Sequence, residues 1–409
     1  MKAASRANKA HLGVGCFIPS KKAEKNILQV LRSGRLSYGP FIKKFEKQFA
    51  KEHQARFAVM VNSGTSALRI AFTCLKETEK WKNGDEVLVP ATTFVATANT
   101  VISNGLKPVF VDVDPKTYNI DPEEMRKKIT SRTRAVVPVH LTGLPADMRP
   151  IQEMARKHKL KIVEDSCETM FAKYRGVSVG NLGDIACFST YIAHLIVTGV
   201  GGLALTNNPK YAEILRSLAN HGRDNIYISM DDDKGKSGKA FEEIIARRFN
   251  FVRTGYSFRV TEFEGALGCA ELEKSRFIIK KRRANAAYLI KKLKPLDSML
   301  QLPSYPAHSD HSFMIFPLVV RKESGFKKRD LVNFLESRGV ETRDLMPLIN
   351  QPYIQKGYKV HTGDFPVSDW LVSSGFYIGC HQAMGRPELD YIVKTFFEFF
   401  KNHGKKVRV

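Results

Sequence analysis

The stretch FAVMVNSGTSAL, from Phe57 to Leu68, joins an apolar, β-branched run to a turn of small polar residues and the start of a helical pattern. Six further apolar runs follow as far as Thr206, separated by segments such as DPEEMRKKI, which opens with Asp121 as a candidate N-cap. The seven candidate strands are FAVMVNS, EVLVPA, KPVFVDV, AVVPVHL, KIVEDS, IACFST and GLALT. This alternation predicts an α/β fold on a mostly parallel seven-stranded sheet.

Different patterns follow this sheet. The glycine-containing polar stretch ISMDDDKGKSGKAFEE, at 228–243, is typical of a mobile surface loop. A long helical pattern, TEFEGALGCAELEKSRFIIKKRRANAAYLIKKL, then leads into a unit with the strand SFMIFPLVV and the helices RDLVNFLESRG and PELDYIVKTFFEFFKN. We therefore expect an N-terminal arm over 1–20, a large domain over 21–275 and a smaller C-terminal α+β domain over 276–409.

Composition excludes several classes of protein. Of the 409 residues, 43% are hydrophobic, which suffices for a large buried core, but no apolar run is long enough to span a membrane. The N-terminal residues MKAASRANKAHLGVG contain no apolar signal-peptide core, so the expected location is the cytoplasm. The six cysteines include no pair within four residues, and we expect buried free thiols rather than a metal site.

The net charge of +24 allows two interpretations. Nucleic-acid binding is one, but the lysines are dispersed and mostly share helices with acids, and no recognition module is visible. A solvated basic surface is the other, and its field also draws anionic phosphorylated substrates toward the protein. We favour the second interpretation and expect no nucleic-acid partner.

The turn VNSGTSAL, from Val61 to Leu68, is a candidate phosphate site. Small residues at a helix start leave backbone N–H groups and hydroxyls free to hold a phosphate at the positive end of the helix dipole. An ordinary capped helix explains the same residues, because Ser63, Thr65 and Ser66 all make good caps. Taken alone, this motif is weak.

The segment KIVEDSCE, from Lys161 to Glu168, places two adjacent acids at the end of an apolar strand. Open α/β sheets bind ligands at this edge, and a carboxylate there can hold the proton of a pyridinium cofactor. A structural ion pair or a helix cap is an equally good explanation of the motif in isolation. The nearby segment FSTYIAHLIVTGVGGLALT, from Phe188 to Thr206, contains several glycines. Such glycines allow the close approach of a ligand or of another chain, but a simple hairpin without a ligand explains them as well.

Taken together, the three motifs resemble the DegT/DnrJ/EryC1/StrS family of pyridoxal-phosphate (PLP) sugar aminotransferases. The resemblance runs from about Gly15 to the C-terminus. Other matching stretches are YGPFIKKFEKQFA, VPATTFVATANTVISNGLKPVFVDVD, VHLTGLPADM and GYSFRVTEFEGALGCAELEK. It implies the aspartate-aminotransferase (type I) PLP-dependent fold, with the cofactor in the large domain, and a homodimer whose cofactor sites form between subunits.

The resemblance also implies the cofactor contacts. Gly64 and Thr65 would bind the cofactor phosphate, and Ser189 would join them. In the family, an asparagine of a GYN motif reaches this phosphate across the dimer interface, and the shorter Ser257 takes its position here.

Three further positions would surround the cofactor ring. Phe94 would stack on the pyridine ring, Asp165 would pair with the ring nitrogen, and Glu168 would lie near the phenolic oxygen. The resemblance thus implies that Asp165 and Glu168 of KIVEDSCE contact a pyridinium cofactor.

The sequence departs from the aminotransferases at His194 in FSTYIAH, where they have the lysine that bonds covalently to the cofactor. Imidazole has no primary amine, but it can transfer a proton near neutral pH. His194 with Tyr191 three residues earlier, and Glu168 after the cysteine, resemble the sugar 3-dehydratase branch of the family, although Ile192 replaces a proline.

That branch contains an iron–sulfur type, whose cluster requires four cysteines. Here Cys167 is present, but the HGRD-like segment HGRDNIYIS is followed by no further cysteine before Cys269, so the four required thiolates are not available. The chain therefore looks like the cluster-free type, similar to GDP-4-keto-6-deoxymannose 3-dehydratases. This implies non-covalent pyridoxamine phosphate (PMP), a nucleotide-linked 4-keto-6-deoxysugar, glutamate as amino donor, and His194, Asp165 and Tyr191 as catalytic residues.

Some alternatives stay open. Arg343 could bind the substrate diphosphate or the donor carboxylate, or form a structural ion pair. A catalytically retired homologue serving as a scaffold is a second function class, favoured slightly by Ser257 and by Val200, where active relatives commonly carry glutamate. An aminotransferase that uses a lysine from elsewhere ranks third.

Overall fold

The computed structural model describes residues 12–227 and 232–403. Part of the predicted N-terminal arm (1–11), the start of the predicted loop (228–231) and the last six residues lie outside these ranges. The helices in the described ranges are α1 (Lys21–Ser33), α2 (Pro40–Glu52), α3 (Gly64–Thr78), α4 (Val95–Ser103), α5 (Pro122–Lys128), α6 (Met148–His158), α7 (Pro209–Ala219), α8 (Gly238–Arg247), α9 (Glu262–Leu272), α10 (Ser275–Leu293), α11 (Lys328–Ser337), α12 (Pro352–Tyr358), α13 (Pro366–Ser374) and α14 (Arg386–Asn402).

The strands form one large and two small sheets. They are β1 (Phe57–Val61), β2 (Glu86–Pro90), β3 (Lys107–Val111), β4 (Thr133–Val136), β5 (Lys161–Asp165), β6 (Lys173–Tyr174), β7 (Val177–Ser178), β8 (Ile185–Ser189), β9 (Gly202–Thr206), β10 (Leu300–Gln301), β11 (Phe316–Val320), β12 (Thr342–Asp344) and β13 (Gly375–Ile378). The large sheet has the order β1-β9-β8-β5-β4-β2-β3, which contains all seven strands predicted from the sequence.

The large sheet is mostly parallel, as predicted. Its pairs β2–β3, β2–β4, β4–β5 and β5–β8 are parallel, whereas β9 runs antiparallel to both β8 and β1. Every residue of β2, β8 and β9 is buried, because helices cover both faces of the sheet. Burial on two faces explains why these strands have continuous apolar sequences rather than alternating ones.

The N-cap predicted for α5 is confirmed, whereas two other local expectations differ from the structure. Asp121 caps α5 by accepting from the backbone N–H of Glu123 and Glu124. The predicted loop is shorter than its sequence suggests, because α8 begins at Gly238. The long helical pattern is also divided into α9 and α10, since the N–H of Lys274 donates to the carbonyl of Glu271, three residues back, and tightens the chain into a turn.

The C-terminal part contains the antiparallel sheet β10-β11-β13-β12 with α10, α11 and α14 packed around it. Its apolar core includes Phe316, Phe376 and Phe396, each fully buried. This α+β arrangement matches the predicted pattern, while the predicted domain boundaries stay a prediction. In the described residues, no helix has the length and apolar character needed to cross a membrane.

Candidate active site

A cavity of about 600 Å³ opens at the carboxyl ends of β1, β5 and β8. Its walls come from the β1–α3 turn, the start of α4, the β8–β9 connection and the segment around β12 and β13. Nine of the ten site residues predicted from sequence line it: Gly64, Thr65, Phe94, Asp165, Glu168, Ser189, Tyr191, His194 and Arg343. Most of them follow strands of the large sheet, whose parallel carboxyl ends share one edge, whereas Arg343 comes from β12 of the C-terminal sheet.

The N-terminus of α3 forms one end of the cavity. Ser63 is the N-cap, and its Oγ accepts from the N–H of Ser66 at 3.0 Å. A Cβ atom on Gly64 would lie 2.7 Å from Sγ of Cys167 and 2.9 Å from Cβ of Ser189, so only glycine fits. The result is a narrow turn with backbone N–H groups at a helix N-terminus, which is suited to a phosphate.

The glycines of the β8–β9 connection allow this turn to form. A Cβ atom on Gly202 would lie 2.4 Å from the carbonyl carbon of Ser63, so β9 passes directly beneath the start of α3. Gly201 has a φ of 141°, and its carbonyl accepts from the N–H of Thr190. Val200 lies beside them in the cavity wall with half of its surface exposed.

Asp165 ends β5 with a buried carboxylate. One oxygen accepts from the hydroxyl of Thr97 at 2.7 Å, and the other accepts from the N–H of Cys167 at 3.2 Å. Thr97 follows one helical turn after Phe94, whose ring is 59% exposed at the start of α4. In one cavity, a buried carboxylate can accept from a pyridinium nitrogen, and an exposed aromatic side chain can stack on the pyridinium ring.

Glu168 is a second buried carboxyl group in the cavity, with 6% of its surface exposed. Burial raises its pKa to about 7, although the backbone N–H of Thr142, 2.7 Å away, acts in the opposite direction. The negative charge of Asp165 contributes to the rise. Glu168 therefore carries a proton part of the time near neutral pH and can donate a hydrogen bond as well as accept one.

His194 and Tyr191 lie in the β8–β9 connection. The N–H of His194 donates to the carbonyl of Tyr191 at 2.9 Å, and their rings meet edge to face with centroids 6.3 Å apart. The His194 side chain is half-buried, but its Nδ1 is fully buried and has no hydrogen-bond partner in the described part of the chain. Burial lowers the pKa of His194 to about 4, with a further lowering contribution from Arg282. The imidazole is therefore neutral at physiological pH.

Arg343 lines the cavity from β12. Its Nη2 pairs with the carboxylate of Glu341 and its Nη1 donates to the carbonyl of Thr342. More than half of the side chain is exposed, so Arg343 has an ion-pair partner and also faces the cavity. The ion pair expected as one alternative is therefore present, while a role in binding the substrate or the donor stays a prediction.

Ser257 is the one predicted residue that does not line the cavity. It is exposed, and its Oγ accepts from Nη2 of Arg259 at 2.9 Å. A role in cofactor binding would require the site of a second subunit, and this contact stays a prediction.

Several residues of the site were not identified from the sequence, among them Thr97 and Tyr377. Thr97 lies one helical turn beyond Phe94 in α4, a spacing that could have indicated it. Tyr377 lines the cavity from β13, and burial, followed by the charge of Glu168, raises the pKa of its phenol. Its position depends on how the C-terminal sheet packs against the large sheet, which no local pattern reveals.

The cavity residues suit PLP or PMP. Gly64 leaves space at a helix N-terminus for the phosphate. Phe94 can stack on the cofactor ring, and Asp165 can bind the ring nitrogen. Nδ1 of His194 has no hydrogen-bond partner in the described residues. Among those same residues, no group of three or more metal-ligating side chains is present, and Cys167 is the one cysteine in the cavity wall.

Residues 19–397 match the model of the DegT/DnrJ/EryC1/StrS aminotransferase family. The chain belongs to this family. The lipopolysaccharide biosynthesis protein RfbH of Salmonella typhimurium is 33% identical over 381 residues, covering 90% of this chain and 86% of the relative. GDP-4-keto-6-deoxy-D-mannose 3-dehydratase of Escherichia coli O55:H7 is 32% identical, with coverage of 90% and 95%.

Other members of the family that resemble this chain have a different activity. GDP-perosamine synthase of Caulobacter vibrioides is 32% identical, and the match covers 87% of this chain and 89% of that protein.

The solved structure of E. coli GDP-4-keto-6-deoxy-D-mannose-3-dehydratase with bound hydrated PLP superposes with a TM-score of 0.86 at 29% identity, and the match covers 94% of this chain and 98% of that one. The chain thus has the predicted type I fold of PLP-dependent enzymes, in a family with dehydratase and aminotransferase members.

Proposed function

We propose that this protein is a PMP-dependent 3-dehydratase acting on a nucleotide-linked 4-keto-6-deoxyhexose in deoxysugar biosynthesis. The observation that carries the proposal is the identity of the base in the cavity. His194 lines the same cavity as Asp165 and Gly64, and none of the described residues that line this cavity is a lysine. A primary amine for covalent attachment of the cofactor is therefore missing from this wall, while a neutral imidazole is present.

The chain's own residues would hold the cofactor without a covalent bond. Gly64, Thr65 and Ser189 would bind its phosphate at the N-terminus of α3, where the helix dipole favours an anion. Phe94 would stack on the ring, and Asp165 would hold the proton of the ring nitrogen. When bound, the cofactor supplies an amine for the C4 ketone of the sugar and an electron-accepting ring.

His194 would act as the general base. Its imidazole is neutral at physiological pH and its Nδ1 has no partner in the described residues, so it is free to accept a proton. Tyr191 packs edge to face against it and would orient the ring. Glu168, with a pKa of about 7, would hold a proton near the phenolic oxygen of the cofactor.

The overall reaction replaces the C3 hydroxyl of the sugar with hydrogen, which requires two electrons. Glutamate would supply these electrons and be converted into 2-oxoglutarate and ammonia. The oxygen atom lost from C3 of the sugar is balanced by the new keto oxygen of 2-oxoglutarate. A solved structure of GDP-4-keto-6-deoxymannose-3-dehydratase with a PLP–glutamate geminal diamine, which has a TM-score of 0.85, supports glutamate as the donor. Arg343 would bind an anionic group of the donor or the sugar nucleotide.

Two further parts of the proposal concern assembly and location. We expect a homodimer in which Ser257 of one subunit approaches the cofactor phosphate of the other. We also expect a cytoplasmic enzyme without an iron–sulfur cluster. Light scattering and iron analysis of the purified protein test the dimer and the cluster, and a monomer or bound iron would contradict them.

Aminotransfer is the second candidate, because GDP-perosamine synthase is similarly close in sequence. The decisive experiment incubates the protein with PMP, glutamate and a panel of GDP-, CDP- and dTDP-linked 4-keto-6-deoxysugars. A dehydratase releases ammonia and forms a product one oxygen atom lighter than the substrate. An amino sugar without free ammonia would establish the aminotransferase, and neither product, with no cofactor uptake, would establish a retired scaffold.

A further inference from the structure

The N-terminal arm was predicted from the sequence without a role, and its residues 12–18, called here the arm segment, pack against the C-terminal part of the chain. Leu12 forms a parallel bridge with Val340. Its N–H donates to the carbonyl of Gly339 at 2.8 Å, and its carbonyl accepts from the N–H of Glu341 at 3.1 Å. The arm segment therefore lies alongside the residues that lead into β12.

Glu341 connects the arm segment to the cavity. Its Oε2 accepts from the N–H of Val14 at 2.8 Å, and its Oε1 pairs with Nη2 of Arg343, which lines the cavity. A Cβ atom on Gly379 would lie 2.2 Å from the carbonyl oxygen of Gly13, so the arm segment also passes directly over the residue that follows β13. One side of the arm segment is thus fixed to the C-terminal sheet.

The other side of the arm segment contacts the loop that carries His194. A Cβ atom on Gly15 would lie 2.9 Å from Cα of Ala193 and 3.2 Å from the carbonyl oxygen of Ile192. The φ of Gly15 is not in the left-handed region, so the feature that favours glycine here is the lack of a side chain. The backbone of Gly15 therefore packs directly against the backbone of the residue next to His194.

Residues 192 and 193 of this loop have few other supports. Tyr191 and Ile192 have 51% and 41% of their surface exposed. Within residues 12–227 and 232–403, the N–H groups of Ile192 and Ala193 have no hydrogen-bond partner. A segment with few contacts is displaced at little cost in free energy, so the contact with Gly15 restrains a part of the loop that little else restrains.

We propose that Gly15 is a positioning residue of the active site: the arm segment, anchored to the C-terminal sheet, packs against the backbone next to His194 and fixes the imidazole relative to Arg343. This inference rests on the proposed function, in which His194 is the base. A base acts only within hydrogen-bond reach of the proton, and a misplacement of about 1 Å can reduce a rate about a hundredfold. The arm segment would thus join two parts of the site that come from different sheets.

The test replaces Gly15 with alanine. A contact of at least 3.4 Å between the added Cβ atom and Ala193 requires the loop or the arm segment to move by about 0.5 Å or more. The NMR signals of His194 are measured at pH 7 in the full-length protein with ¹³C-labelled histidine, and they are assigned by their loss in His194→Gln. In Gly15→Ala we expect these signals to move from their wild-type positions, while the midpoint of urea unfolding stays unchanged.

The kinetic effect should be confined to turnover. In Gly15→Ala, kcat should fall about tenfold or more, while KM for the sugar nucleotide and the dissociation constant for PLP change by less than about twofold. This division is expected because Gly15 contacts the loop of the base and not the turn at Gly64 that would bind the phosphate.

Val14→Pro tests the same contact from the anchored side. Proline lacks the N–H that Glu341 accepts, so this variant loosens the arm segment without adding an atom at position 15. The His194 signals should move here too, and this variant decides the question if Gly15→Ala does not fold. Gly357→Ala is the matched control, because nothing lies within 4 Å of its added Cβ atom, and it should leave the signals and kcat unchanged.

Wild-type positions of the His194 signals in both Gly15→Ala and Val14→Pro would overturn the inference and leave the arm segment with a purely structural role. The NMR measurement needs neither substrate nor turnover. A wild-type protein without dehydratase activity would therefore count against the proposed function and not against this inference.

Discussion

The carboxylates of Glu164 and Asp165, adjacent residues at the end of β5, lie on opposite faces of the sheet and have different partners. Asp165 faces the cavity, where Thr97 and Cys167 bind it. Glu164 is fully buried on the other face and accepts four hydrogen bonds, from the backbone N–H groups of Gly180, Leu182 and Gly183 and from Nε2 of His140. Alternation along the strand thus separates a structural acid from a site acid.

Glu164→Gln should destabilise the fold. The new amide group would face backbone N–H donors in a fully buried position, so at least one donor loses its acceptor. We expect the free energy of unfolding in urea to fall by about 3 kcal/mol. Glu153→Gln, on the exposed face of α6, is the control and should change it by less than ~0.5 kcal/mol. Equal stability of the two variants would contradict the structural role.

Asp165→Asn should instead reduce activity. The amide has nearly the same shape but cannot stabilise a positive charge on the cofactor ring nitrogen, so turnover should fall about a hundredfold or more. We expect the unfolding free energy to stay within about 1 kcal/mol of the wild type. Steady-state kinetics combined with urea unfolding separate the two effects, and full activity in this variant would remove Asp165 from the site.

Gly64→Ala should impair cofactor binding. The added Cβ atom would lie within 3.0 Å of both Cys167 and Ser189, and this displaces the turn at the N-terminus of α3. We expect the dissociation constant for PLP, followed by absorbance, to rise at least about tenfold. Gly357→Ala is the control, because nothing lies within 4 Å of its added Cβ atom. Unchanged PLP affinity in Gly64→Ala would place the phosphate elsewhere.

His194→Lys should nearly abolish dehydration and introduce covalent binding of the cofactor. The new primary amine would bond covalently to PLP, so borohydride should fix the cofactor to the variant and not to the wild type. Dehydration should fall by a factor of about 10² to 10⁴, the usual contribution of a general base. Mass spectrometry of the reduced protein and the ammonia assay check both results. Persistent dehydration would refute the role of His194 as base.

Stability should decrease as the pH falls from about 6.5 toward about 4. Burial lowers the pKa of several histidines, to about 4 in His53, His194 and His381 and to about 3 in His311. The unfolded chain therefore binds more protons in this range, and the contribution of these neutral side chains, complete above pH 6.5, is progressively lost. Burial raises the pKa of two carboxyl groups, Glu168 and Glu271, and these groups add stability as the pH falls. The four histidines outnumber them, so stability still decreases.

Urea unfolding between pH 4 and 7 measures this dependence. The exposed His158 supplies a control, because His158→Gln should leave the slope unchanged. A flat profile would show that the buried histidines are protonated in the folded protein as easily as in the unfolded chain.

Local sequence patterns predicted much of the site because it lies at strand ends. Gly64 follows β1 and Asp165 ends β5, and parallel strands necessarily bring such positions to one edge. Tyr377 could not be predicted in this way, since it enters the cavity from a different sheet. The roles of the two acids of β5 also needed the structure, because sequence alone does not show which face of a strand is directed toward the ligand.

The sequence by itself determined the seven strands, the family and the replacement of lysine by His194, because these depend on residue identity and short-range periodicity. The tertiary structure decided what surrounds that histidine: burial lowers its pKa, and the described residues of the cavity wall include no lysine. Burial and the distances between charges arise only when remote segments pack together, and they set the protonation state on which the chemistry of His194 depends.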